Sequence, residues 1–237
     1  MQSQPAVEHP PLSIAIQGLR FSWQPTAEPV LAIDALTISS GERVFLHGPS
    51  GSGKSTLLSL LAGVHTPQQG SIEVQGRALE RLSQSQRDTF RADHIGYIFQ
   101  QFNLLPFLDL IHNVTLACDF SAARRQRLAT HGTSATAEAA RLLKQLGIPE
   151  ALHQRQASQL SVGQQQRVAA ARALIGSPPV VIADEPTSAL DANSRENFLH
   201  LLFAECERAR TTLVFVSHDQ ALAPLFSRSV DLSEVNR

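Results

Sequence analysis

The run from Gly48 to Thr56 has the residue types that can hold phosphate groups. It fits the pattern G-x-x-x-x-G-K-[ST], in which glycines let the backbone curve so that successive N–H groups point at the phosphates of a nucleotide. Lys54 would add a positive charge, and the Ser55 hydroxyl would be a ligand for Mg²⁺. The run is therefore a candidate nucleotide-binding loop, and its residues are Gly48, Pro49, Ser50, Gly51, Ser52, Gly53, Lys54, Ser55 and Thr56.

The segments on either side of this loop have the periodicity that such a loop needs. Residues 43–47 form a short apolar run typical of a buried strand, and the leucines within residues 57–61 recur at helical spacing. We therefore predict a strand, the loop, and then a helix that begins near Gly53 or Lys54. This helix would turn the positive end of its dipole toward the bound anion.

An acidic pair, Asp184 and Glu185, directly follows the apolar run from Val180 to Ala183. If that run is a parallel strand, both carboxylates lie at its carboxyl end, where open α/β sheets hold their ligands. Phosphoryl transfer needs charge neutralisation and an oriented nucleophile, and carboxylates can serve both needs. An acidic pair in this place could instead only cap the following turn.

A second peptide, residues 160–167, reads Leu-Ser-Val-Gly-Gln-Gln-Gln-Arg. It resembles the signature peptide Leu-Ser-Gly-Gly-Gln of the ATP-binding cassette (ABC) family, with Val162 in place of the first glycine. Because a β-branched residue tolerates positive φ poorly, Val162 either has an ordinary backbone conformation or weakens the closed state. The resemblance covers roughly Leu19 to Ser217. It implies ATP and Mg²⁺ as ligands and a homodimer that forms when ATP binds.

The resemblance also implies catalytic and metal-binding roles. Asp184 would help to hold Mg²⁺, and Glu185 would be the general base that activates the attacking water. Gln100 matches the family's Q-loop glutamine, which contacts the metal, the water and the transmembrane partner, although Gln101 beside it offers the same side chain. His218 matches the switch histidine, which contacts the γ-phosphate and steadies the base.

Further nucleotide contacts are implied at the signature peptide and at two other places. Ser161, Gly163 and Gln164 would contact the γ-phosphate held by the second subunit. Asp191, at the end of the D-loop-like sequence Ser-Ala-Leu-Asp, would cross the dimer interface. Trp23 lies where the family carries an aromatic residue that stacks on adenine, but a tryptophan in a strand region is often a core residue.

The order of the apolar runs predicts an α/β protein. By resemblance, the fold is a P-loop NTPase of the ABC ATPase type, with a parallel central sheet, an N-terminal antiparallel β-subdomain and an inserted helical subdomain. We place the ATPase domain at residues 12–237, the helical subdomain at about residues 109–174 and a flexible tail at residues 1–11. Further strands are predicted at residues 70–74, 95–99, 180–183 and 212–216, and a helix at residues 163–174. Asp109 and Ser134 are predicted N-caps.

Composition restricts the classes of function. The 237 residues carry a formal net charge of −1, which gives no support to nucleic-acid binding driven by basicity. No apolar run approaches the roughly 20 residues that span a bilayer, and the N-terminus lacks the pattern of a secretory signal. We therefore expect the protein to lie in the cytoplasm. The resemblance implies a separate transmembrane permease as its partner, and binding to this permease would hold the protein at the inner face of the cell membrane.

Two other groups of residues carry expectations. Cys118 and Cys206 show no C-x-x-C pairing and are expected to be buried thiols. Arg124, Arg125 and Arg127 form one basic cluster. We expect this cluster on a solvated helix face rather than in a phosphate site.

The branch of the family is open between two interpretations. The segments 99–106 and 213–219 are most similar to the lipoprotein-release and macrolide-export ATPases, which favours export or extraction across the cell envelope. Residues 186–191 are instead similar to polar amino-acid importers. The chain ends soon after Val230 without a regulatory domain, and this favours the first interpretation.

A soluble P-loop ATPase or kinase is the alternative outside transport. Such an enzyme would lack the signature peptide, and its mass would not change with ATP. A guanine-specific Asn-Lys-x-Asp motif is absent from the sequence, and so are the coiled-coil heptads of the ABC ATPases that act on DNA.

Overall fold

The computed structural model describes residues 11–24 and 28–236. Except for Pro11, the tail expected at residues 1–11 lies outside this part of the chain. The described strands are β1 (Leu12–Phe21), β2 (Leu31–Ser39), β3 (Arg43–His47), β4 (Gln69–Val74), β5 (Arg77–Ala78), β6 (Ile95–Ile98), β7 (Val180–Asp184), β8 (Thr212–Val216) and β9 (Arg228–Asp231). The described helices are α1 (Lys54–Leu61), α2 (Gln84–His94), α3 (Leu110–Asp119), α4 (Ala122–Thr130), α5 (Ala135–Gln145), α6 (Val162–Leu174), α7 (Ala192–Ala209) and α8 (Leu232–Val235).

The central sheet is parallel, with its strands in the order β6-β7-β8-β3-β9. Every residue of β8 is buried, and so are the first four residues of β7. Continuous apolar runs are typical of strands that are covered on both faces. Because β6, β7, β8 and β3 are direct neighbours, the four loops that follow their carboxyl ends lie along one edge of the sheet. The predicted α/β fold with a parallel central sheet is confirmed.

The second sheet is antiparallel, in the order β2-β1-β4-β5. The turn between β4 and β5 consists of Gln75 and Gly76, whose φ angles of 50° and 69° are those of a tight two-residue hairpin. Ile16 and Ile72 of this sheet pack in the same apolar core as Leu57 of α1. The sheet therefore covers the helix that follows the candidate phosphate loop.

Between β6 and β7, the regular elements of the chain are helices, as the sequence predicts. The side chains of Asp109 and Ser134 accept hydrogen bonds from backbone N–H groups and cap α3 and α5. Helix α6 begins at Val162, one residue earlier than predicted, and its apolar face is buried against α3, α5 and the central sheet. Cys118 and Cys206 are free, buried thiols, as expected.

The arginines of α4 contradict the expectation of a solvated face. Arg124 is only 2% exposed. Its guanidinium donates to four backbone carbonyls, those of Ala92, Ile95, Ala173 and Ile175. Arg127 likewise donates to the carbonyls of Asp93 and Gly176. The ends of α2 and α6 leave carbonyls without helical partners, and these arginines supply the missing donors. Arg125 alone of the three is exposed.

Candidate functional site

The Lys54 ammonium is bonded to the backbone of the loop between β3 and α1. Lys54 Nζ donates to the carbonyl oxygens of Gly48 (2.8 Å) and Pro49 (2.9 Å). Gly53, at the start of α1, has a φ of 93°, and a Cβ there would lie 2.7 Å from the Leu31 side chain. Since any other residue would be strained and would clash, glycine is needed for the helix to begin here.

The hydroxyl groups of the loop are available to a ligand. Ser52 Oγ is buried and has no hydrogen-bond partner among the described residues, which is unfavourable unless a ligand or water satisfies it. Ser55 is exposed in the first turn of α1, and Thr56 is buried behind it. In the part of the chain that the structure describes, no side chain caps the N–H groups at the start of α1. Free N–H groups at the positive end of a helix dipole suit a bound anion.

Asp184 ends β7 close enough to the loop to interact with Lys54. Burial raises the pKa of Asp184 most, the charge of Glu185 raises it further, and Lys54 partly offsets both. The Tyr97 hydroxyl, from β6, interacts with this carboxylate and also partly lowers the pKa of Asp184. Tyr97 pairs with Ile182 in the sheet, so Tyr97 and Asp184 project from the same face. A cation beside Asp184 would stabilise its charged form.

Glu185 and His218 meet at the ends of β7 and β8. His218 Nδ1 lies 2.8 Å from Glu185 Oε1. Glu185 has a φ of 45°, which is uncommon for a residue with a side chain. Its N–H donates to the Val216 carbonyl at 3.0 Å, so the end of β7 bends over the end of β8. Strained backbone of this kind clusters at functional sites.

Gln100 lies at the tip of a tight turn after β6. The Phe102 N–H donates to the Phe99 carbonyl at 3.0 Å, so Gln100 and Gln101 are the two central residues of the turn. Both of their side chains are exposed. Because β6 is the direct neighbour of β7, the turn follows the strand next to the acidic pair.

Trp23 lies on the surface and is not a core residue. Its side chain is 57% exposed. The ring meets Phe21 and His65 edge to face, with centroid distances of 5.1 Å and 5.0 Å. An indole that is held by two neighbours and remains exposed can offer a face to a planar base.

The signature peptide starts α6 with a capping box. Ser161 Oγ accepts from the Gln164 N–H at 3.4 Å, and Gln164 Oε1 accepts from the Ser161 N–H at 3.0 Å. Val162 is the first residue of the helix and is about half exposed. It therefore has an ordinary helical backbone, which was one of the two possibilities that the sequence left open.

The signature peptide and the segment before α7 lie together. A Cβ on Gly163 would be 3.4 Å from the Leu190 side chain. Asp191 caps α7 by accepting from the Ser194 N–H at 3.0 Å, and this bond lowers the pKa of Asp191. Among the described residues, no hydrogen bond joins Ser161, Gly163, Gln164 or Asp191 to the phosphate loop of the same chain.

Two residues that the sequence analysis missed support the site. Tyr97 is one of them. The sequence places Tyr97 on the same side of β6 as Phe99, because side chains alternate along a strand. Only the pairing of β6 with β7 in the structure identifies Asp184 as the partner of Tyr97. Asn236 is the other. Its Nδ2 donates to the carbonyls of Val30 (3.0 Å) and Ser52 (3.3 Å), and thereby ties the phosphate loop to a residue 184 positions away. No local pattern indicates such a bond.

The oxygen donors near Asp184 suit Mg²⁺. Ser55, Asp184 and Gln100 offer hydroxyl, carboxylate and amide oxygens, which hard cations prefer. Within residues 11–24 and 28–236, no group of three or more His, Cys, Asp and Glu side chains could hold a metal on its own. Mg²⁺ usually keeps waters and substrate phosphates among its ligands. The donor set therefore fits a Mg²⁺ ion that binds together with a nucleotide.

The family model described as ABC transporter matches residues 31–188. This chain belongs to the ABC transporter family. The match includes the phosphate loop, Gln100, the signature peptide and the acidic pair, and the chain is thus an ATP-binding ABC ATPase.

Relatives in this family include ATP-binding proteins of bacteria. The chain is 43% identical over 199 residues to the macrolide export ATP-binding/permease protein MacB 1 of Aeromonas hydrophila, a match that covers 84% of this chain and 29% of MacB 1. It therefore spans about a third or less of the length of the MacB relatives it matches. It is also 41% identical to the ABC transporter ATP-binding protein YbbA of Escherichia coli, and the match covers 83% of each chain.

Solved structures of an archaeal relative share the fold. The ATP-binding cassette MJ0796 of Methanocaldococcus jannaschii is 39% identical over 199 residues. Its dimeric post-hydrolysis structure, bound to ADP and Pi, superposes with a TM-score of 0.80 at 34% identity, covering 92% of this chain and 93% of that one.

None of the helices in the described part of our chain combines the length and apolarity required to traverse a lipid bilayer.

Proposed function

We propose that this ATPase works as a homodimer that closes on two MgATP and drives a separate membrane permease for export or extraction across the cell envelope. It would act at the inner face of the membrane, bound to that permease. The observation that carries the proposal is the contact between His218 Nδ1 and Glu185 Oε1, which are 2.8 Å apart. This contact lies at the edge of the sheet where Asp184 and Lys54 also interact.

Glu185 is the general base in this mechanism. Its carboxylate accepts a proton from water, the water oxygen bonds to the γ-phosphorus, and the bond to the β–γ bridging oxygen breaks to give ADP and phosphate. An ionised carboxylate can only accept hydrogen bonds, so His218 Nδ1 carries the proton in their contact. His218 thereby holds one oxygen of Glu185 and leaves the other free to face the water.

Charge neutralisation comes from residues around the phosphates. Lys54 and the free N–H groups at the start of α1 balance the charge that spreads over the γ-phosphate oxygens. Ser55, Asp184 and Gln100 would hold Mg²⁺, which supplies further positive charge at the phosphates when it is bound. Trp23 would stack on the adenine ring.

The homodimer supplies the remaining contacts. Ser161, Gly163 and Gln164 lie at the N-terminal end of α6. The capping box uses the N–H groups of Ser161 and Gln164, whereas those of Val162 and Gly163 have no hydrogen-bond partner among the described residues. These two N–H groups and the helix dipole suit an anion. Within residues 11–24 and 28–236, the three signature residues make no hydrogen bond to their own phosphate loop. As the family resemblance implies, their ligand would be the nucleotide held by the partner. Asp191 lies beside them and would cross the same interface. The relative MJ0796 has been solved as a dimer, which supports a dimer for a chain of the same fold.

The proposed contact with the permease is a groove beside the Gln100 turn. It has a volume of about 370 Å³, and its walls include Phe99, Phe120 and Ala117. Phe99 and Phe120 are 39% and 74% exposed, and Phe107, in the loop that follows the turn, is 65% exposed. Large apolar side chains exposed around a groove are typical of a protein contact. Because Gln100 directly follows Phe99, a partner bound here could sense the state of the site.

Export is the direction that the relatives favour. The MacB proteins are named as macrolide export ATP-binding/permease proteins. YbbA and MJ0796 are named only as ATP-binding proteins of ABC transporters. The permease that co-purifies with this chain in mild detergent would identify the cargo class, and an amino-acid importer permease would contradict the proposed direction. Phe120→Asp should weaken this co-purification, whereas Leu12→Asp, at an exposed position on the antiparallel sheet, should not.

Replacing Glu185 with glutamine tests the mechanism. The variant should lose about 10²–10⁴-fold in turnover, the usual effect of removing a general base. It should still bind ATP, and its mass in light scattering should double with ATP. Glu196→Gln is the matched control, because Glu196 is an exposed glutamate on α7 whose ion-pair partner is His200. Normal turnover in Glu185→Gln would contradict the base assignment, and an unchanged mass would favour a monomeric ATPase or kinase.

A further inference from the structure

The turn that carries Gln100 is held by α6, the helix that starts at the signature peptide. The Arg172 guanidinium, near the end of α6, donates to the carbonyl oxygens of Phe102 (2.5 Å) and Asn103 (2.6 Å). These carbonyls come directly after the Gln100–Gln101 turn. We propose that Arg172 is a positioning residue that fixes Gln100 for ATP hydrolysis and ties its position to that of the signature peptide.

The backbone that Arg172 holds is unfavourable without support. Phe102 and Asn103 have φ angles of 60° and 50°, so two consecutive residues with side chains are left-handed. This conformation is disfavoured by contacts of Cβ with the backbone, most of all for a bulky residue such as Phe102. It persists only where the surroundings hold it. Burial of the Phe102 ring in the core is one restraint, and the two bonds from Arg172 are another.

Among the described residues, Arg172 has no other polar partner that would explain its placement. Within the described part of the chain it forms no ion pair, and burial lowers the pKa of Arg172 without an opposing carboxylate. Its planar guanidinium can donate to two neighbouring acceptors at once, whereas a lysine ammonium lacks this fork geometry. The side chain is therefore specific for the pair of carbonyls that follows Gln100.

Helix α6 connects this contact to the signature peptide. Ser161 and Arg172 are eleven positions apart on one helix, which corresponds to about 16 Å along its axis. A regular helix moves as a rigid element, so a displacement at Ser161 would reach the Gln100 turn through Arg172. In the closed dimer of the proposed function, Ser161 contacts the nucleotide held by the partner while Gln100 serves the nucleotide of its own chain. Arg172 would then link the two sites, and this step rests on the proposed function.

Hydrogen exchange without nucleotide tests the structural part of the proposal. In Arg172→Gln, the amides of residues 102 and 103 should exchange at least about tenfold faster, because their left-handed turn loses support. Arg167→Gln is the matched control. Arg167 lies on the same helix and also donates to a backbone carbonyl, that of Gly147, away from the turn. Unchanged exchange at residues 102 and 103 in Arg172→Gln would overturn the proposal.

A double-mutant cycle with Gln100 tests the functional part. Arg172→Gln should lower turnover by about 10- to 100-fold, as expected for a misplaced catalytic group. If Arg172 acts through Gln100, the double variant with Gln100→Ala should be no slower than Gln100→Ala alone. Both single variants should also require several-fold more Mg²⁺ for half-maximal turnover.

The outcomes of the cycle separate the two proposals. A loss in Arg172→Gln that multiplies with the loss in Gln100→Ala, or no loss at all, would overturn the role of Arg172 and leave the proposed function intact. Normal turnover in Gln100→Ala would contradict the role of Gln100 itself, and the Arg172 proposal with it. If Arg172→Gln does not fold, Arg172→Lys replaces it in both experiments, because it retains the charge and can keep one of the two bonds.

Discussion

Replacing Arg124 with methionine would test how firmly α4 is held to the central sheet. Methionine retains an unbranched side chain that can fill the same space, but it removes all donors to the carbonyls of Ala92, Ile95, Ala173 and Ile175. Since Arg124 is 2% exposed, water has little access to these carbonyls after the substitution. The helix ends that Arg124 joins would then carry unpaired acceptors inside the protein.

The expected loss follows from two opposing effects. A buried carbonyl that loses its partner costs about 1–3 kcal/mol, so four of them cost roughly 8 kcal/mol. Against this, burial lowers the pKa of Arg124 to about 10. The usual pKa of arginine is about 12.5, and each unit of difference corresponds to about 1.4 kcal/mol. The charged guanidinium therefore destabilises the fold by roughly 3 kcal/mol, and methionine removes this cost. We therefore expect the free energy of unfolding to fall by about 5 kcal/mol.

Thermal unfolding without nucleotide measures this loss. For a protein of this size, 1 kcal/mol corresponds to about 2–4 °C in Tm, so Arg124→Met should lower Tm by more than about 10 °C. Gln126→Met is the control on the same helix, because Gln126 is exposed and its loss should cost less than about 1 kcal/mol. If the two variants unfold within 1 kcal/mol of each other, the buried carbonyls do not depend on the guanidinium, and the reasoning is refuted.

Three further predictions concern the site. His218→Ala should lower turnover by about 10²-fold without preventing the ATP-induced doubling of mass in the Glu185→Gln background; a loss of that doubling would show that His218 acts in dimer formation instead. Burial and the charge of Glu185 raise the pKa of Asp184 in the folded protein. Above that raised pKa, the ionised Asp184 carboxylate destabilises the nucleotide-free fold. Below the ordinary carboxyl pKa of about 4, Asp184 is protonated in both the folded and the unfolded chain, so this destabilisation disappears. Asp184→Asn should therefore raise Tm at pH 8 but not at pH 3, and equal gains at both values would contradict the assignment. Val162→Gly should retain or increase turnover, because Val162 has an ordinary helical backbone, while Tm falls slightly from the weaker helix propensity of glycine; a large loss of turnover would show that valine is required.

The local parts of the fold and site could be predicted from the sequence. β3 has its predicted bounds, α1 begins at Lys54, and Asp109 and Ser134 cap their helices as expected. Each of these features depends on residues within a few positions of one another, where strand periodicity, capping and glycine conformation act. The phosphate loop was recognisable for the same reason. The roles implied by resemblance for Gln100 and the signature residues remain predictions.

The polar contacts between distant segments were beyond such reasoning. The α4 arginines looked like a solvated charge cluster, but Arg124 is bound to carbonyls up to 51 positions away. The sequence marks Arg172 only as one more arginine of a helix, and nothing local indicates that it holds the turn after Gln100. A carbonyl is present at every residue, so sequence cannot show which one a buried donor will reach.

The sequence by itself determined which residues form the phosphate loop, the acidic pair and the helices, because each of these features depends on residues that are close together in the chain. Only the tertiary structure decided that β6, β7, β8 and β3 are adjacent, and so brought Tyr97 to Asp184 and His218 to Glu185. Strand order and long-range hydrogen bonds arise when the whole chain packs, and they depend on every element at once.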